Sequence, residues 1–127
     1  LYSSSTKTPI VVHYRKGDSD WALMFSYYYE EIKKLLKTEK GTITIVTDSL
    51  EDAKYFFKDI SCIKVIRSEN ALEDFEILIS AKKIYCAPST FSWWAAHCLD
   101  QEAEVIMPEF FKNSLGIYVN TNKLTIV

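Results

Sequence analysis

The chain has 127 residues, 48% of them apolar, with a formal net charge of −2 and a pI near 5.7. That length fits one domain, and a chain of this size removes roughly two-thirds of its unfolded surface from water. The mild acidity excludes nucleic-acid binding through a broad basic face, no apolar stretch reaches the about 18 residues of a membrane-crossing helix, and no signal peptide is visible.

Cys62, Cys86 and Cys98 form no C-x-x-C pair and each lies in an apolar run. This is the pattern of buried, reduced thiols in a reducing compartment. The chain opens at Leu1 with a Ser3-Ser4-Ser5-Thr6 lead, which reads as the interior of a longer protein cut at a linker. Residues 1–8 are therefore expected to be a linker remnant and 9–127 one domain.

In chain order, short β-branched runs alternate with segments of helical spacing. Ile10-Val11-Val12 reads as a first strand. Trp21 to Lys37 follows, with Leu23, Met24, Tyr27, Tyr28, Ile32, Leu35 and Leu36 on one face at steps of three and four. Ile43-Thr44-Ile45-Val46 is a second strand. Leu50 to Phe57 is a short helix, with Ser49 and Asp52 spaced as a capping box. Ile63-Lys64-Val65-Ile66 is a third strand. Asn70 to Ala81 is a helix with Asn70 at its N-cap and Glu73 behind it. Lys83-Ile84-Tyr85-Cys86 is a fourth strand, Ser92 to Leu99 a helix, and Val105-Ile106-Met107 a fifth strand. Leu115 to Val119 suits a turn and short strand, and Lys123 to Val127 is ambiguous. The strands are almost continuously apolar, as expected of strands covered on both faces. The alternation predicts an α/β, three-layer domain with a mostly parallel sheet.

In such sheets ligands bind beyond the carboxyl ends of the strands, at a topological switch point. The loops to consider are residues 13–20, 47–49, 67–70, 87–91 and 108–114. The first carries His13-Tyr14-Arg15-Lys16-Gly17-Asp18. Arg15 can present a planar fork to phosphate oxygens, and Gly17 allows a sharp turn. The same residues also read as a solvated loop with an Arg15–Asp18 ion pair. The fourth carries Pro88-Ser89-Thr90-Phe91-Ser92-Trp93-Trp94-Ala95-Ala96. Its hydroxyls and the helix N-terminus behind them can hold an anion, or Ser89 or Thr90 can simply cap the helix with Trp93 and Trp94 in the core. Glu73 and Asp74 suit the first turn of a helix by their charge alone. A carboxylate there can also accept from the N1–H and exocyclic amine of a guanine. Asp48 has the same two readings.

Only Gly17, Gly41 and Gly116 are present, so neither G-x-G-x-x-G nor a P-loop can be built. With His13 and His97 as the only imidazoles and no Cys/His cluster, no metal site is expected.

Val11-Val12-His13-Tyr14-Arg15-Lys16-Gly17-Asp18 resembles the H-x-R-R-G-D motif of the α-1,2-fucosyltransferases, and Ser89-Thr90-Phe91-Ser92-Trp93-Trp94-Ala95-Ala96 resembles their S-T-F-S-W-W-(G/A)-A motif. Between them, Glu73 to Ser80 is similar to the family's D-x-x-x-(L/M)-(M/I)-S stretch, and Val105-Ile106-Met107-Pro108 to its V-I-x-P step. Order and spacing agree over about residues 9–111. The resemblance, to glycosyltransferase family 11, implies one half of a GT-B enzyme, the Rossmann-like C-terminal domain that binds GDP-fucose. It implies inverting transfer of L-fucose to a galactose hydroxyl with no metal ion. The glycan acceptor would be held by a domain absent from this chain.

Carried over by motif position, Arg15 would contact the β-phosphate and Ser89 and Thr90 the phosphate oxygens from the opposite loop. His13 and Asp74 would face the guanine or its ribose, and Asp18 is the local candidate for a base. Three positions depart from the family. Lys16 stands for the motif's second Arg and loses its bidentate geometry. Ser19 stands where an aromatic often follows the Asp, and His97 where an aromatic is common. A cytoplasmic location is expected, with peripheral attachment to the inner membrane open for a full-length protein. A non-catalytic sugar-nucleotide-binding or structural module on the same scaffold is the alternative reading.

Overall fold

A computed structural model describes residues 10–15, 26–39, 41–61, 63–67, 70–87, 90–99, 102–107 and 123–126. Six strands form one sheet: β1 (Ile10–Tyr14), β2 (Ile43–Thr47), β3 (Ile63–Arg67), β4 (Lys83–Tyr85), β5 (Glu104–Met107) and β6 (Lys123–Ile126). Their order is β3-β2-β1-β4-β5-β6, and every neighbouring pair is parallel. A π-helical segment, Ser26–Ile32, runs directly into α1 (Lys33–Leu36); α2 (Leu50–Phe56), α3 (Ala71–Ile79) and α4 (Thr90–His97) follow.

The period of two along each strand divides the apolar residues between two cores. Val12 and Tyr14, Ile43 and Ile45, Tyr85 and Ile106 point to one face, where Tyr28, Ile32, Leu36, Ala53 and Phe57 cover them. Val11, Val46, Ile84, Val105 and Met107 point to the other, beneath Leu78, Ala95, Ala96 and Leu99. The α/β, three-layer, parallel architecture is thus as expected, and continuous apolar runs are what two covered faces require. Edge strand β3 is the exception, with Lys64 and Arg67 exposed and its other residues half-buried. The end of the chain, which the sequence leaves ambiguous, is the sixth strand, paired from Glu104↔Lys123 to Met107↔Ile126.

From β1 the chain winds outward to β3 with its helices on one face. It then returns to β4 and winds the other way with its helices on the other face. The register between β1 and β4 ends at Val12↔Tyr85, whereas that between β1 and β2 continues to Tyr14↔Thr47. The Cys86 amide bonds instead to the Ile106 carbonyl at 2.8 Å. A crevice therefore opens beside the carboxyl end of β1, where the direction of winding reverses.

Several local expectations are corrected. Ser49 is the N-cap of α2, but its side chain makes no capping bond. Its Oγ turns to Asp48 at 3.3 Å, and Asp52 accepts from the Tyr14 hydroxyl at 2.6 Å. The buried phenol therefore outcompetes the cap. Asn70 does cap α3, accepting from the Glu73 amide at 2.8 Å. Cys86 is buried and in no disulfide, with its thiol pushed up to about 12 by burial, but Cys98 is exposed because the α4 end turns Leu99 inward instead. Cys62 and Leu115 to Val119 lie outside the described residues.

Candidate functional site

The crevice at the switch point is a cleft of about 250 Å³ lined by His13, Arg15, Asp48, Ala71, Asp74 and Phe91. Each arrives there by a local rule. In β1, alternation sends Val12 and Tyr14 to one core, so His13 faces α3 and α4. Arg15 is the first residue beyond the strand and its side chain is exposed. Asp48 follows β2 in the same way. Asp74 stands in the first turn of α3, whose start Asn70 fixes. Phe91 is the second residue of α4, with its ring 5.9 Å from that of His13 and 5.8 Å from that of Phe75.

His13 is 6% exposed, and no hydrogen-bond partner meets its Nδ1 among the described residues. Burial, and then the Arg15 charge, lower its pKa from 6.5 to about 4, with Asp48 opposing. At neutral pH the ring is uncharged, so one nitrogen donates and the other accepts. Asp74 is also buried, at 6% exposure. A carboxylate in that position presents acceptors only. Arg15 is the cation of this lining and offers five donors in a planar fork. The cleft thus has a cationic edge, an acceptor wall, an uncharged imidazole and an aromatic side. Such a set suits a ligand with an anionic group at one end and a planar base bearing N–H donors at the other. Its volume lies just below the roughly 300–1,000 Å³ of small-molecule sites, so it holds part of such a ligand.

Three residues singled out in the sequence, His13, Arg15 and Asp74, are brought together here. Asp48, which the sequence leaves between two readings, joins them. Phe91 was visible only as a motif letter, and its role as a wall comes from the helix start that α4 provides. Thr90 is described only as the first residue of α4, and Lys16, Gly17, Asp18 and Ser89 lie outside the described residues. Within the tryptophan motif, Ser92 has a structural task. Its buried Oγ accepts from the Ala87 amide at 2.8 Å and ties the first turn of α4 to the chain just after β4. Trp93 packs against the second core, whereas Trp94 is 56% exposed, which departs from the reading that places both in the core. The two indoles meet edge to face at 4.9 Å, and His97 stacks on Trp93 at 5.5 Å. That stack gives His97 a packing role.

A second depression of about 460 Å³ lies beside α1, lined by Glu30, Glu31, Lys33, Lys34, Lys37 and Asp59. Lys33 and Lys37 pair there with Asp59 at 3.0 and 3.7 Å. It is an ionic surface on the segments that lead into β2 and β3, away from the residues that follow β1, and partly exposed pairs of this kind contribute little.

Among the described residues, no group of three or more His, Cys, Asp or Glu side chains is arranged to hold a metal ion, and no helix is long and apolar enough to cross a membrane. No protein-family model, curated protein or solved structure matches the chain.

Proposed function

We propose that the chain is the donor-binding domain of an inverting, metal-independent fucosyltransferase and that the cleft takes GDP-fucose. The observation that carries this reading is the convergence of His13 and Arg15 at the end of β1 with Asp74 of α3, from two distant stretches of sequence, on one crevice at the switch point. These are residues that the resemblance to the α-1,2-fucosyltransferases assigns to the nucleotide. In the proposed pose the Arg15 fork holds the diphosphate, joined by the N–H groups at the start of α4 and by Ser89 and Thr90. Asp74 accepts from the guanine edge, and the uncharged His13 imidazole bonds the base or ribose. Lys16 adds charge beside the phosphates, and Asp18 is the candidate base.

As the glycosidic bond breaks, negative charge grows on the leaving diphosphate. Fixed donors that meet this charge without reorganising lower the barrier. Arg15 is suited to that task because its backbone directly follows a central strand. The galactose-bearing glycan is proposed to enter from a second domain, which would face the open side of a cleft too small for the whole donor.

Calorimetric titration with GDP, ADP and UDP in the presence of EDTA tests the reading. GDP alone should saturate. Each charge-assisted hydrogen bond contributes about 1.5–3 kcal/mol, so Arg15→Ala should weaken GDP about tenfold to a hundredfold. A folded chain that binds no nucleotide, either alone or joined to an acceptor domain, would overturn it in favour of a structural module on the same scaffold. GDP binding without transfer by the joined protein would favour a non-catalytic sugar-nucleotide-binding module.

A further inference from the structure

Beyond Val12 the pairing of β1 with β4 has ended, and β2 alone continues beside the strand. Two backbone groups at this end of β1 are met by a side chain. The Tyr28 hydroxyl donates to the His13 carbonyl at 2.6 Å and receives the Arg15 amide at 3.4 Å. The carbonyl of one residue and the amide two positions later are the pair that a parallel neighbouring strand would engage. A phenol carries one donor and a free acceptor, so a single hydroxyl can serve both.

Tyr28 is held for this task. It is fully buried, lies on the π-helical segment with Ile32 and Leu36 following at steps of four, and sets its ring edge to face against Tyr14 at 4.7 Å. Burial raises its pKa well above the ordinary phenol value, so the hydroxyl keeps its proton and continues to donate. The adjacent Tyr14 hydroxyl goes elsewhere, to Asp52. The two touching phenols therefore have separate duties, and only that of Tyr28 reaches the cleft.

We infer that Tyr28 is a positioning residue of the cleft: its hydroxyl stands in for a strand at the end of β1 and fixes the backbone from which Arg15 reaches a nucleoside diphosphate. The inference rests on the nucleotide reading of the cleft for its ligand, and on the two hydrogen bonds for its geometry. Loss of the hydroxyl leaves the Arg15 charge in place but frees its anchor. His13 remains inside β1, in register with Val46 of β2, whereas Arg15 lies beyond the strand, so the deficit falls on the terminal phosphate while contacts to base and ribose are kept.

Amide exchange by NMR, together with calorimetric titration of GDP and GMP, tests this on the unsubstituted chain, Tyr28→Phe and Tyr14→Phe. In Tyr28→Phe the Arg15 amide should exchange about tenfold faster or more, and GDP should weaken about tenfold while GMP stays within about twofold. Tyr14→Phe should lower the melting temperature with GDP affinity unchanged. An unchanged GDP-to-GMP ratio in a folded Tyr28→Phe protein overturns the inference. So does an Arg15 amide that exchanges at its unstructured rate in the unsubstituted chain, a result that needs no variant to fold. If Tyr28→Phe deprotects Arg15 but even the unsubstituted chain binds no nucleotide, the anchoring role stands and the nucleotide reading falls.

Discussion

Replacing His13 with Gln should remove an acid-sensitive component of the folding stability. The His13 imidazole is 6% exposed, and burial followed by the Arg15 charge brings its pKa from 6.5 to about 4. The unfolded chain therefore takes up this proton near pH 6.5, and the folded chain only near pH 4. Between those limits the unfolded state binds more protons, so stability rises with pH. The contribution is complete above pH 6.5 and is lost as the pH falls towards 4. At 1.36 kcal/mol per unit, the difference amounts to about 3 kcal/mol. Urea unfolding of both proteins from about pH 4 to about pH 7.5 measures it, because carboxylates common to both cancel in the difference. The gap in unfolding free energy should widen by about 3 kcal/mol in favour of the His13 chain on going from acid to neutral pH. Two curves that stay parallel across the window would refute the buried, uncharged imidazole, and with it the acceptor role given to the ring in the cleft.

Ser92→Ala leaves the buried Ala87 amide without its acceptor, and should cost about 1–3 kcal/mol in denaturant unfolding; an unchanged midpoint would show that the tie between α4 and the end of β4 does not depend on this bond. Gly41 adopts φ +98°, and a Cβ placed there would meet no atom within 4 Å. Gly41→Ala should therefore cost about 1–3 kcal/mol through backbone conformation alone, with Gly41→Asn less costly, and thermal melts of the pair check that order.

Strand and helix positions were legible because they follow from short-range physics. Each β-branched run from Ile10 to Met107 became a strand within a residue or two, and Asn70 capped its helix as its type and spacing indicate. The chemistry of Arg15 and Asp74 was legible as residue type and as motif. Asp52 was misread because its nearer partner in sequence, Ser49, was preferred over a phenol 38 residues away. The tail from Lys123 to Ile126 stayed ambiguous because so short a run becomes a strand only by pairing with β5. Nor could the helical spacing of Tyr28, Ile32 and Leu36 show that the first part of the helix is π-wound, or that the Tyr28 hydroxyl ends on β1.

The sequence by itself determined a parallel α/β sheet covered on both faces, since short, continuously apolar runs alternating with helical stripes admit few other packings. It also determined which side chains stand just after β1 and in the first turn of α3. Only the tertiary structure decided that His13, Arg15, Asp48, Asp74 and Phe91 share one cleft. Their distances apart depend on where the sheet reverses its winding and β1 parts from β4, and that is a property of the assembled strands rather than of any one segment.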